Sequence, residues 1–239
     1  HHENEIAQVE TATGKKLANY WVHNGHLNIG GEKMSKSLNN FLLARDILKK
    51  YDKNIIRFFL LSAHYRSPLD FTEENVNNAV NGFSELGNTL YRAAGILRKP
   101  LVSEGVLDAN LAEKGIALEA KFVAAMDDDF NTAQAIAALF DYANEIKNTI
   151  KKKDWVLNYE NRGALKAAGE KLAALSAVLG FKIEAEKIPA EIEALAFERE
   201  TARNTKDWAK SDLIRKTMEE KGFAVEDTPK GQIIIRKTK

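Results

Sequence analysis

Lys33 and Lys36 stand three residues apart in the stretch 30–40, GGEKMSKSLNN, with Ser35 and Ser37 between and after them. Two ammonium groups on a loop behind a Gly-Gly pair can close over a phosphate chain and neutralise charge that grows there in a transition state. The hydroxyls add hydrogen bonds, and lysine acts as a point charge. The bland alternative is a solvated turn that caps the following helix through Ser37, Asn39 or Asn40. The order Lys-Met-Ser-Lys-Ser weighs against it, because background residue usage gives that string in only about one in ten thousand chains of this length.

Three other groups could carry chemistry. His1 and Glu5 are four apart, a helical spacing that brings an imidazole and a carboxylate to one side and suits zinc. On the residues alone a surface ion pair is the favoured reading. Asp127, Asp128 and Asp129 precede Asn131 and Thr132, where acids complement a helix dipole, so capping is expected rather than a metal cluster. Near the end of the chain Arg203, Trp208 and Asp212 are spaced to share a helical neighbourhood, and Asp227 follows. An aromatic plane, a guanidinium and carboxylates are what unstacked RNA bases require. On spacing alone the favoured reading is the ordinary one, in which Trp208 packs the small unit and Asp207 or Asp212 pairs with a nearby lysine. Core packing is also expected for Trp21, which with His23 precedes the lysine loop, while Arg66 could meet a phosphate or a carboxylate.

The elements that must position these groups follow from periodicity. A helix is expected over 1–13, stopped at Gly14, then a strand over 17–23, a turn at Asn24-Gly25 and a returning strand over 26–29 that delivers the lysine loop. Helices are expected over 43–51 and 53–64, the second buried over most of its circumference. Amphipathic patterns predict a long helix from Thr72 to about Leu97, a short one over 119–126, and two more over 132–150 and 161–179, together an antiparallel bundle. Pro189 opens a terminal unit of two helices, 190–204 and 206–221, and a hairpin across 227–231. The fold class expected is mostly α: a remnant of a Rossmann-type domain (1–40), connecting helices (41–71), the bundle (72–180) and a small mixed α/β unit (181–239).

Composition bounds the rest. The 239 residues contain no cysteine, which excludes disulfides and thiolate metal sites within the chain, and no apolar run long enough to span a membrane. A soluble, monomeric, cytoplasmic protein is expected. Net charge is +1, unevenly spread: 10 basic and 7 acidic residues over 1–70, 6 and 12 over 71–150, 10 and 6 over 201–239. Basic ends about an acidic middle permit a polyanion to touch both ends.

KMSKS is the second signature of class I aminoacyl-tRNA synthetases. Together with HHENEIAQ, ANYWVHNG, EKMSKSLNNF, IIRFFLLSAHYRSPLDF and MDDDFNT in this order, the chain resembles cysteinyl-tRNA synthetases from His1 nearly to Lys239. The resemblance implies the C-terminal part of a ligase that activates cysteine with ATP and Mg2+ and passes it to the terminal ribose of tRNA(Cys), without the HIGH-containing N-terminal portion. It implies catalytic roles for Lys33 and Lys36, ATP contacts from Ser35, Lys36 and Ser37, zinc ligation by His1 and Glu5 with two ligands missing, and anticodon contacts from Arg203, Trp208, Asp212 and Asp227. Asn39 departs from the glycine usual after KMSKSL. With half the zinc ligands missing, zinc is expected to bind weakly or not at all, and the chain alone is expected to bind tRNA without catalysis. A tRNA-binding module, or a ligase joining cysteine to a small amine, are the alternatives.

Overall fold

The computed structural model describes residues 2–35, 40–185 and 187–237. Helix α1 (Glu3–Thr13) ends at Gly14, whose φ of 64° is left-handed and whose N–H closes on the Glu10 carbonyl at 2.9 Å. The next segment departs from expectation: 17–23 forms no strand. Instead β1 (Leu27–Ile29) pairs antiparallel with β2 (Glu32–Lys33), and β3 (Leu69–Asp70) joins the other edge of β1 in parallel, giving the order β2-β1-β3.

The turn is made by Gly30 and Gly31, at φ 61° and 83°, and not by Asn24-Gly25. A two-residue hairpin turn of the type I′ kind needs two positive φ values, which consecutive glycines adopt freely. Gly25 serves a different need. Its N–H donates to the Tyr65 carbonyl at 2.6 Å, and a Cβ there would lie 2.3 Å from the Ser67 carbonyl oxygen. The glycine therefore permits the close backbone approach that seats the hairpin beside β3.

Helices α2 (Ala44–Lys50) and α3 (Lys53–Leu61) follow, the latter capped by the Asp52 side chain, which accepts from the Asn54 N–H. α3 stops at Leu61, short of His64, and buries only Phe58 and Phe59; Arg57 and Leu60 face solvent. Its apolar run is wider than the face its neighbours cover. Phe58 meets Phe83 and Phe140 edge-on, and Phe59 meets Phe71.

The bundle consists of α4 (Glu73–Leu97), α5 (Asn110–Asp127), α6 (Thr132–Lys151) and α7 (Tyr159–Val178). Thr72, Asn131 and Asn158 cap α4, α6 and α7 through their side-chain oxygens. α5 begins nine residues before the expected Glu119, because Gly115 masks its period. That glycine makes room for Tyr142, whose hydroxyl donates to the Leu111 carbonyl at 3.0 Å and whose burial pushes its pKa up to about 12. Leu86, Ile96, Leu111, Leu139, Leu165 and Leu172 fill the centre.

α8 (Ala190–Asn204), α9 (Trp208–Glu220) and the antiparallel pair β4 (Phe223–Thr228) and β5 (Gly231–Arg236) complete the chain. The strands run closer together than expected, leaving only 229–230 as the turn. β5 lies along α4: the Asn88 amide exchanges two hydrogen bonds with the Arg236 backbone, both 2.9 Å, and Ile233 fills the space beside Gly95. Arg92, nearly buried, reaches Glu226 on β4 and Glu85 seven residues earlier on the same face of α4. Phe181, Ile183 and Ile188 join the same apolar cluster as the bundle.

α4 therefore sets a distance. Its start adjoins the lysine hairpin through Asp70, and its end adjoins the Gly231 turn through Lys99. At 25 residues it spans about 37 Å.

Candidate functional sites

At the first end, Lys33 is an exposed residue of β2 opposite Asn28. The Asn40 side chain closes the base of the loop: its oxygen accepts from the Ser35 N–H at 2.8 Å, and its amide donates to the Lys33 carbonyl at 3.2 Å. The Gly31 N–H donates to Asp70 at 3.0 Å, fixing the turn to β3. Ser35, Lys33 and Asn40 are thus tied together at one pinned point. Lys36, Ser37 and Asn39 lie outside the described residues. Asp70 was missed at the sequence level, and Asn40 was read only as a helix-cap candidate, whereas the N-cap of α2 is Leu43, with no side-chain cap.

Glu5 is exposed on α1, with Oε1 3.7 Å from Nδ1 of His2, and His1 lies outside the described residues. Trp21, expected in the core, is 44% exposed and stacks with His2 and His23 at centroid distances of 5.3 and 6.4 Å. Among the described residues no three His, Asp or Glu side chains gather as a metal would require, and the chain has no cysteine. The described donors do not by themselves fit tetrahedral zinc.

The acid triplet does not cap the start of α6; Asp128 instead takes the C-cap position of α5. Asp127 ends α5, Asp128 follows it, and Asn131 caps α6. Asp129, at φ 54°, accepts from the Tyr65 hydroxyl at 2.6 Å and from Arg66 Nε at 2.6 Å. Hydrogen bonds from Arg66 and Tyr65 hold its carboxyl down at about 2. Arg66 thus meets a carboxylate. Tyr65 is a joint, since its carbonyl receives Gly25 while its hydroxyl holds the α5–α6 turn.

At the other end, α8 and α9 pack together, α9 against β4 and α8 against β5. The Arg203 guanidinium sits 5.6 Å from the Trp208 ring centroid and 3.4 Å from Asp227, and Trp208 is 55% exposed. Asp212 is exposed one turn after Trp208 on α9. Arg203, Trp208 and Asp227 are brought together, with Asp212 on the same helical face as Trp208.

Sequence reasoning missed the groups that hold Asp227. Arg199, 1% exposed, grips both carboxylate oxygens at 2.9 Å and also reaches Gln232 at 3.0 Å. Arg215 adds a contact at 3.3 Å. Hydrogen bonding from Arg199, against the cost of burial and with help from Arg203 and Arg215, holds the Asp227 carboxyl below its ordinary range. Arg199 hides between two glutamates, but it falls on the stripe Ile192, Ala196, Arg199, Ala202, and that period was the available signal.

Residues 1–81 match the family described as tRNA synthetases class I (C) catalytic domain. The fold resembles the structure of an Agrobacterium radiobacter K84 LeuRS in ternary complex with tRNA and LeuAMS, with a TM-score of 0.50 and 19% identity over 74% of this chain and 25% of that one. Lysine hairpin, helical bundle and these likenesses define a class I aminoacyl-tRNA synthetase chain. Residues 121–184 match the DALR domain, and 185–234 match the Cysteinyl-tRNA ligase anticodon binding domain. Proteins named cysteine–tRNA ligase from Shouchella clausii and Geobacter sulfurreducens are 43% and 40% identical over 97% of this chain. The chain belongs to the cysteinyl-tRNA synthetase family, and it spans about half the length of these relatives, 49% and 50%.

Proposed function

We propose that this chain supplies the KMSKS loop and the tRNA-reading half of a cysteine–tRNA ligase, divided as 1–40 catalytic remnant, 41–71 connecting helices, 72–180 bundle and 181–239 anticodon unit. In the complete enzyme a carboxylate oxygen of cysteine attacks the α-phosphorus of ATP, pyrophosphate leaves with its Mg2+, and the acyl group then moves to a hydroxyl of the terminal ribose of tRNA(Cys). Lys33 and Lys36 neutralise charge that accumulates on the α-phosphate and departing pyrophosphate, with Ser35 and Ser37 as hydrogen-bonding partners. Asn40 holds Ser35 and Lys33 together at the base from which these groups project.

Arg203, Trp208, Asp212 and Asp227 receive the anticodon. The observation that carries this reading is the placement of an exposed Trp208–Arg203 platform about 37 Å along α4 from the lysine hairpin. The protein acts as a cytoplasmic monomer. His1 and Glu5 contribute to a zinc site completed by groups outside this chain, so zinc is lost from this chain on dialysis; a stoichiometric signal afterwards would contradict that. Alone, the chain catalyses no pyrophosphate exchange.

The test is equilibrium binding of tRNA(Cys) to this chain, beside a transcript with its anticodon altered. The cognate transcript binds more tightly, and Trp208→Ala weakens it by about 1–3 kcal/mol, the worth of one stacked base, with an unchanged unfolding midpoint. Equal affinity for both transcripts would refute the reading.

A further inference from the structure

Asp227 is surrounded by three guanidinium groups. Arg199, which is buried, takes both its oxygens at 2.9 Å and is its closest partner. Arg215 and Arg203 then share an oxygen already in use, at the longer distances of 3.3 and 3.4 Å. One negative charge balances one of three positive charges. Glu219, the other carboxylate that feels Arg215, is taken by Lys237 at 2.9 Å, and Glu226 by Arg92 at 2.7 Å. Arg215 also leaves its buried Nε–H without an acceptor. Both side chains nevertheless reach solvent, at 39% and 42% exposure.

We infer that Arg203 and Arg215 form a phosphate-binding pair, which takes a backbone phosphate of the single-stranded RNA whose base stacks on Trp208. The inference rests on the anticodon reading above and adds Arg215, which that reading does not use. Planar guanidinium forks match phosphate geometry, and two forks from different helices with uncompensated charge form a cradle for it. Arg199 is the positioning residue: by occupying Asp227 it leaves Arg203 and Arg215 weakly held and exchangeable. The adjoining exposed indole favours RNA over an acidic peptide, which offers no base to stack.

The experiment measures fluorescence anisotropy of two labelled stem-loop RNAs, the tRNA(Cys) anticodon arm and one with its anticodon changed, across a salt series. Arg215→Gln lowers the slope of log affinity against log salt by about 0.7, the value for neutralising one phosphate fewer on a single strand, and equally for both RNAs. Arg215→Lys retains the slope, because the charge remains. Unfolding midpoints confirm that both variants fold. An unchanged slope in Arg215→Gln while the native chain binds RNA overturns this inference and leaves the anticodon reading standing. Failure of the native chain to bind either RNA overturns both. Weakening confined to the cognate loop, or loss of poly-glutamate binding with RNA binding intact, also overturns it.

Discussion

Replacing Arg92 by methionine tests what docks the terminal hairpin on α4. Arg92 is 8% exposed; its Nε and one terminal nitrogen donate to Glu226 at 2.9 and 2.7 Å, and the other donates to both oxygens of Glu85 at 3.2 Å. The substitution keeps most of the packing but strands Glu226, while Glu85 retains Lys147 at 2.5 Å. Breaking a buried pair by removing one partner costs about 3–5 kcal/mol, and partial access of Glu226 to water places the loss near the lower bound, about 3 kcal/mol. In urea unfolding this moves the midpoint down by about 1 M. A double-mutant cycle with Glu226→Gln gives a coupling above about 1.5 kcal/mol. The Arg92 hydrogen bonds hold the Glu226 carboxyl below its ordinary 4.5. That stabilisation is present above 4.5 and fades as pH falls through the lower folded value, so the difference between native and variant shrinks in acid. A loss under about 1 kcal/mol, or a coupling near zero, would refute this account of the docking.

Gly25→Ala forces a Cβ to within 2.3 Å of the Ser67 carbonyl oxygen, so β1 must move away from β3 at a cost of about 1–3 kcal/mol. The Leu69 and Phe71 amides, which donate to His26 and Asn28, then exchange with solvent faster; unchanged protection would show that the approach is dispensable. Asp129, held at about 2 against an ordinary 3.8, lends stability that is fully present above 3.8 and is lost as pH falls towards 2. Asp129→Asn therefore flattens the acid limb of the stability profile between those values, and a profile matching the native chain would exclude the joint with Tyr65 and Arg66.

Long, strongly periodic elements were legible in the sequence. Thr72 with Glu73 and Glu74 announces α4, and Pro189 and Gly222 bracket the terminal helices, because caps and breakers act locally. The hairpin at the lysine loop was misplaced because Asn24-Gly25 and Gly30-Gly31 are both good turn dipeptides. What separates them is a contact with Ser67, more than forty residues away, which no local pattern encodes. Asp129 and Arg66 were visible as charged residues but not as partners for the same reason. At the terminal site Arg203, Trp208 and Asp227 were singled out through the family resemblance, since spacing alone favoured ordinary packing. Arg199 and Arg215, which set the electrostatics around Asp227, were not singled out, because their partner lies on a strand more than ten residues further along the chain.

The central claim is that Lys33 and Lys36 stabilise developing phosphate charge during activation of cysteine. The direct measurement is pyrophosphate exchange by a full-length cysteine–tRNA ligase that carries this chain as its C-terminal half, with both lysines replaced by alanine. The account predicts a fall of at least about 100-fold with tRNA affinity retained, in line with the loss of transition-state donors elsewhere. Exchange at the native rate would contradict it.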